Sequence, residues 1–407
     1  MIGRRRLLSG LLALLICLPL AGCWGKVELG DIAIVSATGI DWKDGQWQLS
    51  YQVVIPQAIS GQSATAGTNA AVNVFSTKGD NFRIAISKAS LETPRRLFFA
   101  HNQIVIIGQD AARKGISALA EAYLRNPDSR ETVSVFLTKG NARRVLEQLI
   151  PLEKIPGAAI QQMIFNEQLS GSTFQETTMH KLLKDLLGGA QVVGIPSLAI
   201  SGTGESLDQV EKLSRTNTSS KVRLMDLGIV SGDKLVGWIS KEESSGLMWI
   251  KNQIKKTTVA FGCPNDGKEG KASSIRITKA KTKLRPQRSG SKWTMHIETK
   301  AEGTLLEYSC GGDMNKPKEV DETAQVIAET IKATMKNGWK AVAGYKADVV
   351  GFGNIIHQRH PDAWKQMKGD WPDLFAEMEV KIDVKVKVNS AGMSGGGFKK
   401  LQEKARS

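Results

Sequence analysis

The chain has 407 residues with a formal net charge of +15; 41% of it is hydrophobic, 23% charged and 6% aromatic. That length suffices for two or three domains with substantial cores. The basic balance raises nucleic acid as a partner, but the lysines are spread among acids and no aromatic-basic groove motif appears, so an anionic lipid surface is the better-matched counterpart.

The N-terminus carries the strongest local signal. Arg4, Arg5 and Arg6 precede an apolar run from Leu7 to Leu20 broken only by Ser9, Gly10 and Pro19, and then come Ala21-Gly22-Cys23. A charged segment, an apolar segment and a small-residue cut site in that order make an export signal. The run is shorter than the roughly 20 residues of a spanning helix. Its end is a lipobox, where a cysteine takes a diacylglycerol thioether before cleavage. Residues 1–22 are therefore read as a lipoprotein signal peptide and Cys23 as the acylated first residue of the mature chain; an ordinary signal peptide with a coincidental cysteine is the alternative. Each buried acyl methylene contributes about 0.8 kcal/mol, so two or three chains anchor a protein without a transmembrane helix. No later apolar run approaches spanning length. The remaining 385 residues are expected to be extracytoplasmic, and losing three arginines lowers the formal charge from +15 to +12.

Residues 31–56 read as a hairpin turning at Lys43-Asp44-Gly45. A Ser/Gly/Thr/Ala-rich loop over 56–69 precedes a strand over 72–77 and an amphipathic helix over 80–91 that stops before Pro94. A buried strand is expected within 97–108, β-branched at its end, then one helix over 110–124 and a strand over 131–137. Helices are expected over 142–149, 158–169 and 176–187, and a strand over 191–200. Residues 201–220 lose the apolar pattern and read as the main inter-domain linker or a long exposed loop. A second hairpin over 222–239 turns at Gly232-Asp233, followed by a helix over 241–252 and long strands over 275–284 and 293–308.

The clearest helix spans 320–342, where Val320, Ala324, Ile327, Ile331, Met335 and Trp339 recur every three or four residues, acids sit at its start and lysines toward its end. Met378 to Val388 alternate apolar with polar residues, a half-buried strand that favours an antiparallel sheet. Residues 392–407 read as a flexible basic tail. The fold class expected is α+β, an elongated multi-domain protein of mainly antiparallel or mixed sheets flanked by helices. It divides into an N-terminal region over 23–200 and a C-terminal region over 221–391.

Cys17 falls in the leader, which leaves Cys263 and Cys310 at the ends of predicted strands, in a compartment where disulfides persist. They are expected to pair, with two free buried thiols as the alternative. Chemistry is otherwise scarce. Gly392-Met393-Ser394-Gly395-Gly396 matches a nucleophile elbow, but no histidine follows it, and Ser289 to Lys292 matches S-x-x-K inside a turn. His357 and His360 could share a helix face, yet Pro361 ends the helix and no ligand set completes a metal site. His101, His180 and His296 stand alone. Neither a catalytic residue, a metal site nor a phosphate loop is expected, and no cofactor beyond the lipid on Cys23. Trp339, Trp364 and Trp371 gather in the last third, with a core role as the default.

Two stretches together resemble the Ger(x)C family, the lipoprotein C subunits of spore nutrient-germinant receptors. The first is Gly22-Cys23-Trp24, Glu28-Leu29, Asp31 to Val35 and Gly39-Ile40-Asp41. The second runs from Ala347-Asp348-Val349-Val350-Gly351-Phe352-Gly353 through Pro361, Ala363-Trp364-Lys365 and Phe375 to the valine-rich last strand. The resemblance spans about residues 20–395 of the sequence. It implies three small α+β domains on the outer face of the spore inner membrane, acting with membrane-embedded A and B subunits in germination, without nucleic acid. It carries over no catalytic residue, only the lipidated Cys23, and leaves open whether this subunit binds a nutrient. A solute-binding lipoprotein of a transporter is the runner-up, disfavoured because such proteins alternate strands and helices over two α/β lobes.

Overall fold

The computed structural model describes Gly3 and residues 29–59, 70–126, 128–214, 216–263, 273–290, 292–310 and 314–390. Cys23 with its lipobox, the Gly392 to Gly396 motif and the expected basic tail lie outside the described residues. Among those described, no helix is long and apolar enough to cross a membrane. Two mixed sheets carry the fold, so the α+β expectation holds.

The larger sheet runs β3-β2-β1-β5-β6-β7-β8-β9, with β4 also on β1. Its first hairpin, β1 (Ile32–Lys43) and β2 (Gln46–Val54), turns at Asp44 and Gly45, both with positive φ, and β3 (Val72–Gly79) pairs antiparallel with β2. A short helix α1 (Pro56–Ile59) opens the expected loop. Helix α2 (Phe82–Lys88) is capped by Asn81, whose side chain accepts Ile84 N–H at 3.0 Å.

The apolar stretch before Gly108 is two strands rather than one. β4 (Arg96–Phe98) and β5 (Ile104–Gly108) both run parallel to β1, and Gln103 N–H donates to Ser36 O at 2.9 Å where β1 bulges between them. The helix expected over 110–124 is likewise split, into α3 (Gln109–Lys114) and α4 (Ser117–Leu124). The cause is tertiary: Asp233, in the turn of a distant hairpin, accepts Ile116 N–H at 2.8 Å on its backbone and Ser117 Oγ–H at 2.8 Å on its carboxylate. Gly115 bends there at φ +135°, where a Cβ would lie 2.6 Å from that carboxylate.

β6 (Ser134–Thr138), helices α5 (Ala142–Leu146), α6 (Pro156–Ser170) and α7 (Met179–Leu186), and β7 (Val192–Gly202) complete the parallel part. β8 (Ser220–Ser231) then pairs antiparallel with β7, and β9 (Lys234–Ile239) with β8. The division of the chain at 201–220 thus does not separate two sheets. The segment joins two neighbours of one sheet, and its polar composition reflects an excursion whose strands meet again at Gly202 and Ser220.

Helix α8 (Lys241–Ile250), with a full capping box between Ser240 and Glu243, leads to the second sheet, β10-β11-β12-β13. β10 (Thr257–Phe261), β11 (Ser273–Ser289) and β12 (Lys292–Glu307) are antiparallel. Helices α9 (Pro317–Gly344), α10 (Phe352–Arg359), α11 (Pro361–Met367) and α12 (Trp371–Ala376) return the chain to β13 (Glu379–Ser390), which runs parallel to β12. This corrects the antiparallel expectation for the last strand: alternation reports which face is buried, whereas direction is set by a helical crossover over the sheet.

Ile327, Ile331, Met335, Trp339 and Val342 form the buried stripe of α9, joined by Thr323 rather than Ala324. One apolar core continues from the first sheet through α8 and α9 to the second. The helices α8 and α9 cross at Gly246 and Gly338, where a Cβ on Gly246 would sit 2.2 Å from Thr334 O.

Candidate functional site

The two stretches singled out in the sequence each place a buried aspartate at a helix N-terminus. Asp348 is 3% exposed. Its Oδ1 accepts Gly351 N–H at 2.7 Å and Phe352 N–H at 2.9 Å; its Oδ2 accepts Gly353 N–H at 2.6 Å and Trp371 Nε1–H at 3.1 Å. The first turn of α10 has amides with no partner inside the helix, and the carboxylate satisfies them. Gly351, at φ +82°, makes the bend that points those amides back at Asp348. Burial pushes the Asp348 carboxyl above its ordinary value, against the lowering effect of its four donors.

Around this cap the aromatic residues close. Trp339 lies 4.8 Å from Phe375 and Trp364 5.2 Å from Trp371, ring centre to ring centre, and Phe352 stacks on Trp339 at 5.5 Å. A Cβ on Gly353 would fall 2.8 Å from Trp364, so the Gly351-Phe352-Gly353 run is what this packing tolerates. The tryptophan cluster of the sequence is therefore core.

Asp41 repeats the arrangement. It is buried on β1 and accepts Ala142 N–H at 2.8 Å and Arg143 N–H at 3.2 Å at the start of α5. Burial again raises its carboxyl, opposed by those two amides. Gly108 leaves the room: a Cβ there would lie 2.3 Å from Asp41 Oδ1. Sequence reasoning did not assign either aspartate a role. The local Asp-x-x-Gly-Phe-Gly spacing carried a signal for Asp348, but Asp41 meets residues about a hundred positions away.

Cys263, just past β10, and Cys310, just past β12, are bonded, with Cα atoms 5.4 Å apart and a sequence separation of 47. The bridge ties the end of β10 across β11 to the end of β12.

The histidines do not converge. His357 stacks on Trp364 at 5.8 Å, His360 packs edge-on against Trp293 at 5.2 Å, and His180 Nδ1 sits 2.9 Å from Glu131 Oε2 at the surface. His101 lies beside Phe98, and His296 projects from the outer face of β12. Among the described residues no group of three or more His, Cys, Asp or Glu could hold a metal. Ser289 and Lys292 face each other across the β11–β12 turn.

Lys251, the C-cap of α8, is half-buried near Lys181, Asp185 and Asp348. Burial and then Lys181 depress its ammonium to about 8, against the two carboxylates.

Residues 25–200 match the family described as spore germination protein N-terminal domain, and residues 225–392 match the family described as spore germination B3/GerAC-like, C-terminal. Spore germination protein KC of Bacillus subtilis (strain 168) is 29% identical over 389 residues, covering 94% of each chain. Spore germination protein B3 of the same organism is 27% identical, covering 93% of this chain and 96% of its own. The crystal structure of the GerBC protein superposes with a TM-score of 0.51 at 21% identity, covering 87% of this chain and 97% of that one. The likeness is one of fold.

Proposed function

This chain belongs to the spore germination GerAC-like family, whose N- and C-terminal models it matches in succession, and on that premise we propose that it is the lipid-anchored C subunit of a nutrient germinant receptor. In this reading it holds a folded, non-catalytic body on the outer surface of the spore inner membrane through the acylated Cys23 and assembles there with membrane-embedded A and B subunits.

The observation that carries the proposal is the match of both family models in succession, over residues 25–200 and 225–392, directly after the lipobox pattern that ends at Cys23. The two aspartates that a search for chemistry would seize on are spent as helix caps, which suits an assembly role. The Cys263–Cys310 bond suits an exported protein, since disulfides persist outside the cytoplasm.

The test is a spore whose sole copy carries Cys23→Ala. The body is expected to fold and to be released from the membrane fraction, and nutrient-triggered germination to fall. Germination at the wild-type level with the product released would overturn the reading.

A further inference from the structure

The four-stranded sheet buries one face against α9 and turns the other to solvent. On the solvent face Lys281 of β11 pairs directly with Lys300 of β12, and Lys300 with Lys385 of β13. All three side chains are exposed. Adjacent strands lie about 4.8 Å apart, so three ammonium groups stand in one row. Like charges directly opposite one another are destabilising. None of the three has an ion pair or hydrogen bond among the described residues; of the neighbouring acids, Glu302 lies 3.9 Å from Lys279 and Glu298 lies 3.4 Å from Arg285. The next row on one side is Lys279, Glu302 and Lys387, with two cations to one acid; on the other side Lys283, Glu298 and Asp383 carry one cation to two acids, and beyond them come Arg285, His296 and Lys381, so the four rows hold eight Lys or Arg against three acids.

Residue type separates the candidate occupants. Cores of protein interfaces are enriched in aromatic residues, Met and Arg and depleted in Lys and Glu. This face is built mainly of Lys, with Arg285, His296, Glu298, Glu302 and Asp383 among them, and its valines and isoleucines are on the opposite side. A broad, lysine-rich surface without an apolar centre complements a sheet of anionic head groups.

We propose that the outer face of the β10–β13 sheet, centred on Lys281, Lys300 and Lys385, lies against an anionic lipid surface and sets the orientation of the anchored body. The proposal rests on the anchored reading above: acyl chains supply retention and the lysine face supplies orientation.

The acylated full-length protein, reconstituted on phosphatidylcholine vesicles with or without phosphatidylglycerol, is treated with an amine-acetylating reagent, and each lysine is followed by mass spectrometry. Lys281, Lys300 and Lys385 are expected to react roughly tenfold more slowly on the anionic vesicles, with the protection lost at high salt. Lys318 and Lys365, whose side chains are 87% and 74% exposed, serve as controls and should react equally on both. The triple variant Lys281→Glu, Lys300→Glu, Lys385→Glu should remove the lipid dependence at Lys279 and Lys387; all five side chains point to solvent, so folding, checked by circular dichroism, is unaffected. Equal labelling on both vesicles overturns the proposal, as does protection that follows an added acidic protein instead of the lipid. Flotation with neutral vesicles at high salt tests the anchor separately: loss there removes the anchored reading and leaves the face to be judged on anionic vesicles.

Discussion

Trp371 donates its indole N–H to Asp348 Oδ2 at 3.1 Å, so a residue at the start of α12 completes the cap of α10. The hydrogen bond joins the carboxylate to the aromatic core that holds the last four helices on the second sheet.

Trp371→Phe keeps the ring and removes one donor; it should cost about 1 to 2 kcal/mol in urea unfolding. Asp348→Ala leaves three amides and the indole without an acceptor in a buried place and should cost on the order of 3 kcal/mol. Because burial raises the Asp348 carboxyl above 3.8, the folded chain keeps a proton that the unfolded chain loses. That contribution falls as pH climbs from 3.8 through the raised value, so the stability gap between wild type and Asp348→Asn should narrow toward neutral pH.

At Lys251 the sign is opposite. Its ammonium releases a proton at about 8 in the folded chain against 10.5 unfolded, so its contribution to stability rises as pH climbs between those values. Lys251→Met should be more stable than wild type at neutral pH, and the difference in melting temperature should shrink toward pH 10.5.

Gly246→Ala gains up to about 1 kcal/mol of helix propensity but places a Cβ 2.2 Å from Thr334 O. The backbone oxygen cannot rotate away, so overpacking of about 1 to 3 kcal/mol wins and the variant should melt lower. Gly344→Ala, in open space near the end of α9, is the control and should melt no lower than wild type.

Removing the bridge with Cys263→Ser and Cys310→Ser should cost about 2 to 4 kcal/mol, as expected for a closed loop of this length. Unfolding of the double variant should no longer respond to a reductant, whereas that of the wild type should.

Much of the element order was legible because it depends on local periodicity. The stripe of Ile327, Ile331, Met335 and Trp339 and the alternation from Val380 to Val388 each announce a buried face without reference to the rest of the chain. The break at Gly115 was not legible, because its cause is Asp233, more than a hundred residues later. The same holds for Asp41, whose partners Ala142 and Arg143 lie on a separate element.

The sequence by itself determined the family, the α+β class and most of the faces that are buried. Only the tertiary structure decided that β7 and β8 join across residues 201–220, that β13 runs parallel to β12, and that Lys281, Lys300 and Lys385 share a row. The physical reason is that side-chain period is a property of neighbours along the chain. Strand direction and register follow from which distant segments bury their surfaces together, and no local pattern encodes that choice.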